Sequence, residues 1–279
     1  MSAALTALVV APLAPLAAGW GTWLVGTLAG ARGPDVAIDP AVGSRIAILI
    51  PAHDEEASLP ALLDSLVHAE GPATFAPVLV VADHCSDRTA EIARAAGAEV
   101  LERDSGPRGK PAALRDGLAI LTADPEHDAV MIVDADCILE PGVGASLSRG
   151  LAAGEQVLQC AYRLAGESDG IAAVSRWAFA LKNVVRPRGL ARLGAPTQLF
   201  GTGMCFTREA IGRVAFRDHL TEDAAMSYEL LASGVHPSFR SDAGVVSPEA
   251  PDRDAMTAQR ERWEGGQAQL VRDLPRHIS

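Results

Sequence analysis

The sequence predicts an α/β protein built on a doubly wound, mainly parallel sheet, and three observations support this prediction. Short apolar runs alternate with amphipathic segments of helical period between residues 45 and 140. Several runs end abruptly in acidic residues, as buried strands do at the carboxyl edge of a parallel sheet. The chain has 279 residues, 48% of them hydrophobic, which is enough for one large domain or two small ones.

The first segment of the chain is apolar. Residues 2–31 contain no charged residue and are rich in Leu, Val, Ala and Trp. A segment of this length can cross a bilayer as one helix, so residues 1–31 are predicted to be a single-pass transmembrane anchor. Pro12 and Pro15 leave an interfacial hairpin or a buried helix open as alternatives.

The first basic residues of the chain, Arg32 and Arg45, come after this segment. Since positive charge tends to remain on the cytoplasmic side, the rest of the chain is expected to lie at the cytoplasmic face of the cell membrane. Residues 32–44 contain Gly and Pro and are predicted to be a linker.

The first half of the remaining chain alternates strands with helices. Strands are predicted at 45–51, 77–82, 99–103 and 130–133, and a helix follows each of the first three. Parallel pairing with right-handed crossovers brings Glu55, Asp83 and Asp134 into one crevice. Lys110 precedes a predicted helix, where it could meet a phosphate or a base, or simply face solvent.

The most informative stretch is the fourth predicted strand with its two carboxylates, Asp134 and Asp136. Their i, i+2 spacing presents hard oxygen ligands to Mg²⁺ or Mn²⁺, and such ions usually complete their coordination with water and substrate phosphates. The implied substrate is a phosphate ester. The alternative is a solvated strand end in which one Asp caps the turn before Pro141.

The second half is less regular. A strand near 156–164, a long helix over 171–185, an irregular loop at 187–196 and a helix over 224–232 are predicted. Before the last helix, Thr221 is a candidate cap, and Glu222 and Asp223 could simply favour the helix N-terminus. A final predicted helix carries Gln259, Arg262 and Trp263 on one face, either as a sugar or diphosphate platform or as an amphipathic surface with a packed Trp.

Composition excludes several classes of protein. The net charge of −11 and the sequence pI of about 5.1 make nucleic acid an unsuitable partner. The four cysteines have no C-x-x-C spacing, which favours reduced structural thiols over a disulfide framework or a zinc site. Neither a dinucleotide-binding glycine motif nor a P-loop is present.

Taken together, these motifs resemble family 2 glycosyltransferases, in the branch of the cellulose, chitin and poly-N-acetylglucosamine synthases. The resemblance covers residues 45–266 and rests on the joint order of Pro51 to Glu55, Asp83, Lys110, Asp134-Ala135-Asp136, Thr221-Glu222-Asp223 and Gln259-x-x-Arg262-Trp263. It implies a GT-A fold over residues 45–279, with a nucleotide-binding half (45–140) and an acceptor-binding half (141–279). It also implies inverting transfer from a nucleotide-diphosphate sugar, most often a UDP-sugar, with a divalent metal.

The resemblance assigns a role to each matching residue. The nucleotide sugar would be bound by Pro51, Ala52, His53, Glu55, Asp83, Lys110, Asp134 and Ala135, and the metal by Asp134 and Asp136. Asp223 would be the general base. Glu222, Gln259, Arg262 and Trp263 would line the acceptor and diphosphate end.

One feature departs from this branch. Its members continue past the Q-x-x-R-W helix into membrane helices that build a polymer channel, whereas this sequence ends at Ser279. Transfer to a lipid, saccharide or small-molecule acceptor is therefore expected, unless partner membrane subunits supply a channel or the chain is truncated. The alternatives are a sugar-phosphate nucleotidyltransferase and a non-catalytic, membrane-tethered subunit of a polysaccharide synthase.

Overall fold

The computed structural model describes residues 13–31, 43–166, 170–214 and 222–248. In this part of the chain, eight strands form one sheet: β1 (Arg45–Ala52), β2 (Thr74–Asp83), β3 (Glu99–Arg103), β4 (Ala129–Ile132), β5 (Ile138–Leu139), β6 (Val157–Leu164), β7 (Met204–Thr207) and β8 (Ser238–Ser247). The helices are α1 (Leu13–Gly30), α2 (Leu59–Ala69), α3 (Thr89–Ala95), α4 (Lys110–Ala123), α5 (Val143–Ala152), α6 (Gly170–Ala180), α7 (Arg186–Arg192), α8 (Arg208–Ile211) and α9 (Glu222–Ala232), and a π-helical turn, Leu181–Val185, joins α6 to α7.

The first half of the sheet agrees with the prediction. Strands β3, β2, β1 and β4 lie side by side in that order, and all three pairings are parallel. Helices α2, α3 and α4 connect successive strands, so the strands all end at the same edge.

The second half corrects the expectation of a mainly parallel sheet. Strand β7 pairs antiparallel with β4 and with β6, β8 runs parallel to β6, and the short β5 lies antiparallel at the sheet edge. The sheet is therefore mixed. An apolar run specifies burial, not direction, so the sequence pattern did not distinguish the two arrangements.

Alternating residues of β1 contribute to two cores, one on each face of the sheet. Ile46, Ile48 and Ile50 pack with residues of α2 and α5, whereas Ala47 and Leu49 pack with residues of α4 and α9. All five β1 side chains are fully buried. The sheet is thus covered on both faces, as the continuous apolar run of β1 predicts.

The Arg- and Gly-rich stretch expected to be a loop at 187–196 begins instead as helix α7. Residues 170–192 are helical without a break, and Pro187 lies just after the π-helical turn, where the hydrogen-bond pattern changes. The loop interpretation was therefore wrong for residues 187–192, because richness in Arg and Gly does not exclude a helix that packing stabilises.

Helix α1 packs closely against α7 through glycines. A β-carbon placed on Gly189 would lie 1.7 Å from the carbonyl oxygen of Gly26, so only glycine permits this approach. At the end of α1, the Arg192 guanidinium donates to the carbonyl oxygen of Ala29 at 2.8 Å. This bond satisfies one of the carbonyls that a helix C-terminus leaves unpaired.

The expectation of a membrane-crossing helix in residues 1–31 is not confirmed. Among the residues that the structure describes, no helix combines the length and the apolar character needed to span a bilayer. The described part of the segment, α1, is interrupted by glycine and threonine, which lower its mean hydropathy. Residues 1–12 and 32–42, which include most of the predicted linker, lie outside the described residues.

Candidate active site

Three neighbouring parallel strands carry the predicted site residues at their carboxyl ends. Strand β1 leads into His53 to Glu55, β2 ends at Asp83, and β4 is followed by Asp134 and Asp136. Because β1 lies between β2 and β4, these ends form one continuous edge. The predicted acidic residues therefore lie at one edge of the sheet.

Lys110 links two parts of this edge. Its Nζ lies 2.6 Å from Asp134 Oδ1 and donates to the carbonyl oxygen of Gly201 at 2.8 Å. A β-carbon placed on Gly201 would lie 3.6 Å from this Nζ and 3.7 Å from Asp223 Oδ2. Lys110, Asp134 and Asp223 therefore converge on the backbone of Gly201, whose φ of +83° favours glycine.

Asp223 lies at the start of α9. Its Oδ1 accepts a hydrogen bond from the Ala224 N–H at 2.8 Å, and its carbonyl oxygen accepts from Ser227 Oγ at 2.8 Å. Ser227 Oγ in turn accepts from the Leu199 N–H at 2.9 Å, which ties α9 to the segment before Gly201. Asp223 therefore lies in the first turn of α9, as the sequence suggested for an acid that favours a helix N-terminus, and its Oδ2 lies beside Gly201.

The carboxylates at this edge repel one another. Burial raises the pKa of Asp136, and the nearby Asp134 carboxylate raises it further. Burial is also the main cause of the raised pKa of Glu55, with smaller contributions from Asp136 and Asp134. Since Lys110 supplies a single positive charge here, the pair Asp134 and Asp136 fits a divalent cation, which would offset the repulsion with the oxygen ligands it prefers.

Asp83 is the most completely bonded acid of the site. Its side chain is buried, with Oδ1 accepting from Arg103 and from His84 Nδ1 (2.9 Å), and Oδ2 accepting from the Gly109 N–H at 2.7 Å. Burial alone would raise its pKa, but the Gly109, His84 and Arg103 donors outweigh burial and the pKa is lowered. The carboxylate therefore holds the loop before α4 in place.

The remaining predicted donor residues lie on the same edge. His53 Nδ1 is 2.7 Å from the carbonyl oxygen of Asp83, so this nitrogen donates and bridges the ends of β1 and β2. The side chains of Ala52 and Ala135 are buried in the core and Pro51 is partly buried. A ligand at this edge could therefore contact Ala52 and Ala135 only through their backbone.

Two buried polar residues under the site were missed from the sequence. The Gln159 amide donates to the carbonyl oxygens of Cys160 and Thr202, both at 2.9 Å, and its Oε1 accepts from the Phe200 N–H at 2.9 Å. Thr202 Oγ1 accepts from the Asp134 N–H at 3.1 Å. An uncharged polar residue inside the apolar run of β6 was the available signal for this network.

Arg103 was missed as well. It ends β3 as Asp83 ends β2, and the two residues are register partners. A basic residue at one strand end beside an acid at the next was therefore the sequence signal.

Several predicted site residues remain untested. Glu222 is the first residue of α9, and its side chain lies outside the described residues. Thr221, Gln259, Arg262 and Trp263 also lie outside them.

A comparison of the sequence with protein families gives one match. The family model described as "Glycosyltransferase like family 2" matches residues 43–266, which is most of the chain. No curated protein matches the sequence at a significant level.

Solved structures with the same fold include two transferases. The mannosyltransferase PcManGT from Pyrobaculum calidifontis, in complex with GDP-Man and Mn²⁺, is 19% identical, with a TM-score of 0.66 over 94% of this chain and 75% of that chain. Glucosyl-3-phosphoglycerate synthase from Mycobacterium tuberculosis, in complex with Mn²⁺, UDP and phosphoglyceric acid, is 20% identical, with a TM-score of 0.54 over 85% of this chain and 79% of that chain. At these identities the similarity establishes a shared fold, the GT-A type, and nothing finer.

Proposed function

Because the chain belongs to the glycosyltransferase-like family 2, we propose that it transfers a sugar from a nucleotide-diphosphate sugar, with inversion, to a lipid, saccharide or small-molecule acceptor. The observation that carries this proposal is that Lys110 contacts both Asp134 and Gly201, while Asp223 lies beside the same glycine. A cation, a proposed metal ligand and a proposed base are then close together, as displacement of a diphosphate requires.

A divalent metal, Mg²⁺ or Mn²⁺, is part of the proposal. Asp134 and Asp136 would hold it, and when bound it would offset negative charge on the departing diphosphate. The presence of Mn²⁺ in both related structures supports this assignment. Lys110 adds a positive charge beside Asp134, where it would stabilise the same leaving group.

The nucleoside would lie at the ends of β1 and β2. An ionised carboxylate has about four acceptor positions. Asp83 uses three of them in the described part of the chain, which leaves one for an N–H of the base. His53 and the backbone of Ala52 lie beside it. We propose UDP as the nucleotide, although the related structures hold both GDP-Man and UDP, and a panel of nucleotide sugars is the direct test.

Asp223 is proposed as the general base. It would take the proton from the acceptor hydroxyl while that oxygen forms its bond to the anomeric carbon and the bond to the diphosphate breaks on the opposite side. One carboxylate suffices for this single displacement, which inverts the anomeric carbon. Glu222, Gln259, Arg262 and Trp263 remain proposed acceptor and diphosphate contacts.

The test is the substitution Asp223→Asn, which preserves size and much of the capping ability. Donor affinity should remain within about threefold of wild type, because the donor contacts lie on Asp83, Lys110 and the Asp134–Asp136 pair. Single-turnover transfer should fall by roughly 10²- to 10⁴-fold, as expected for a lost general base.

Glu229→Gln, farther along α9, is the matched control and should transfer at the wild-type rate. Near-normal transfer by Asp223→Asn would remove Asp223 from the mechanism. No transfer by wild-type protein with any nucleotide sugar would favour the non-catalytic subunit.

We also propose that α1 attaches the protein to the cytoplasmic face of a membrane. Leu24, Val25 and Leu28 are 54%, 52% and 65% exposed on this helix, which supports burial of its outer face in lipid.

The double substitution Leu24→Ser and Leu28→Ser should lower the fraction of protein that sediments with phospholipid vesicles at least about tenfold, since each leucine contributes about 1.5 to 3 kcal/mol when buried. Val67→Ser, at the exposed Val67 of α2, is the control and should leave sedimentation unchanged. Equal sedimentation of the double variant would contradict the proposal.

A further inference from the structure

The turns that follow β1 and β2 bring together three side chains of different chemistry. His53 and Asp54 follow β1 and Cys85 follows β2. One potential ligand atom from each residue lies within 4.8 Å of the other two. His53 Nε2 and Asp54 Oδ2 are 3.8 Å apart.

The hydrogen bond of His53 leaves one of its nitrogens available. Nδ1 is 2.7 Å from the carbonyl oxygen of Asp83, and a carbonyl can only accept, so Nδ1 carries the hydrogen. The lone pair is therefore on Nε2, the nitrogen that faces Asp54. A ring nitrogen that donates to a backbone carbonyl while the other binds metal is the usual arrangement of a ligating histidine.

Hydrogen bonds also fix Asp54. Its Oδ1 accepts from the Ser86 N–H at 2.6 Å, and its own N–H donates to Cys85 Sγ at 3.4 Å. Asp54 has a φ of +54°, a conformation that non-glycine residues seldom adopt. The β1 turn is thus held against the β2 turn with the sulfur between them.

We infer that His53 Nε2, Asp54 Oδ2 and Cys85 Sγ form a binding site for Zn²⁺ or a similar borderline-soft divalent cation, distinct from the Asp134–Asp136 pair. Nitrogen, sulfur and one carboxylate oxygen suit Zn²⁺, whereas Mg²⁺ and Mn²⁺ prefer oxygen ligands alone. Three protein ligands leave a fourth position for water. The cation would displace the Cys85 proton, which is released to solvent.

The distances allow this coordination after a small adjustment. Bonds of about 2.0 to 2.3 Å to a tetrahedral Zn²⁺ place ligand atoms roughly 3.3 to 3.8 Å apart. From the 4.8 Å limit on their separation, the three atoms need to approach one another by up to about 1.5 Å. The side chains of His53 and Asp54 are exposed to solvent, so small torsional changes that keep their bonds to Asp83 and Ser86 can close this gap.

A functional consequence rests on the proposed function. His53 is also assigned to the nucleoside end of the donor site, so bound Zn²⁺ would occupy its free nitrogen and crowd the base. Zn²⁺ should therefore inhibit transfer in competition with the nucleotide sugar. The metal site itself does not depend on this assignment.

The binding experiment uses the full chain with excess Mg²⁺, so that the Asp134–Asp136 pair is filled. Calorimetric titration should give one Zn²⁺ per chain, and Cys85→Ser should weaken binding at least about 100-fold. Co²⁺ in place of Zn²⁺ should give the charge-transfer absorption of a thiolate ligand in the wild type, and this band should be absent from Cys85→Ser. Unchanged Zn²⁺ affinity in Cys85→Ser, or no thiolate band, would overturn the inference.

Matched variants test the specificity of the site. His68 and Asp64 also place Nε2 and Oδ2 3.8 Å apart on the surface of α2. His53→Gln should lose Zn²⁺ affinity, whereas His68→Gln should retain it. Cys160→Ala should also retain it, because Cys160 is fully buried in the core and its thiol pKa is raised to about 12.

The activity experiment tests the metal site separately from the nucleoside role of His53. Cys85→Ser should transfer sugar at the wild-type rate without Zn²⁺ and should resist inhibition by Zn²⁺. Inhibition of the wild type that Cys85→Ser abolishes supports both the site and its position beside the nucleoside. Tight binding without inhibition leaves the metal site established and counts against the nucleoside role of His53.

Discussion

In the four parallel strands, the site residues follow strand ends, whereas in the mixed half they come from a loop, a helix start and the middle of a strand. Glu55, Asp83 and Asp134 are near one another because topology places the ends of β1, β2 and β4 at one edge. Gly201 is held at that edge by a hydrogen bond from Lys110, and Asp223 lies beside the same glycine. The first half therefore encodes its part of the site locally, and the second half encodes it through packing.

The two halves also differ in how their buried polar groups are satisfied. In the parallel half a buried ion pair, Arg103 with Asp83, fixes the loop before α4. In the mixed half the neutral amide of Gln159 fixes the segment around Thr202 by bonding to backbone. Removing each network should therefore have a different cost, and the larger effect is expected for the charged one.

The largest stability effect is expected for Arg103→Met, because the substitution would leave the Asp83 carboxylate buried without its cationic partner. Arg103 also donates to Asp116 Oδ2 at 2.7 Å and to the carbonyl oxygen of Pro107 at 3.0 Å. Breaking a buried pair in this way costs about 3 to 5 kcal/mol, which urea denaturation would measure.

Arg94→Met is the control for this experiment, because the Arg94–Glu102 pair is exposed. Its expected cost is below about 1 kcal/mol. Equal losses in the two variants would mean that burial of the Arg103–Asp83 pair does not govern stability in the parallel half.

An intermediate effect is expected for Gln159→Leu in the mixed half. Leucine conserves much of the volume but leaves the Phe200 N–H and the Thr202 carbonyl without their partner. A buried unsatisfied group costs about 1 to 3 kcal/mol, so the free energy of unfolding should fall by about 2 to 4 kcal/mol.

Gln156 provides the comparison, since its side-chain amide donates a hydrogen bond to the exposed Glu209 at 3.2 Å. Gln156→Leu should change the free energy of unfolding by less than about 0.5 kcal/mol. If Gln159→Leu is equally mild, the network beneath Thr202 contributes no more than a surface contact.

The same contrast explains what could be predicted from sequence. Strands β1 to β4 and the convergence of Glu55, Asp83 and Asp134 were correctly predicted, because apolar runs and their acidic ends are local signals. The antiparallel direction of β7 and the identity of β8 were not, because both depend on pairing between distant segments. Helix α7 was missed because a stretch rich in Arg, Gly and Pro has low helix propensity, and its packing against α1 involves a distant part of the chain.

The site shows the same limit. The resemblance predicts a donor contact for Lys110, which stays a prediction, and only the structure places its Nζ between Asp134 and Gly201. Cysteine spacing favoured structural thiols, and spacing along the chain does not report that the turns after β1 and β2 bring Cys85 near His53 and Asp54. The roles of Asp223 and Asp136 stay predictions.

The smallest stability effect, and one of opposite sign, is expected where the two halves meet, for Asp136→Asn. Burial, and then Asp134, raises the pKa of Asp136 above its ordinary value of 3.8, so ionisation of this carboxyl opposes folding. The opposition begins as pH rises through the ordinary pKa and is complete above the raised one, so it is fully present at pH 7. Asparagine removes this opposition, and the variant should be about 1 kcal/mol more stable than wild type at pH 7, with the difference disappearing near pH 3.

Mn²⁺ should make the wild type the more stable protein, because a ligand at 100 times its Kd stabilises a protein that binds it by about 2.7 kcal/mol and leaves a protein that does not bind it unchanged. Thermal unfolding at pH 3 and pH 7, each with and without Mn²⁺ and a nucleoside diphosphate, measures both effects. Asp104→Asn, at an exposed carboxylate, is the control and should follow wild type throughout. A variant that is less stable than wild type at pH 7, or that Mn²⁺ stabilises as strongly as wild type, would show that Asp136 is a structural acid and not a metal ligand.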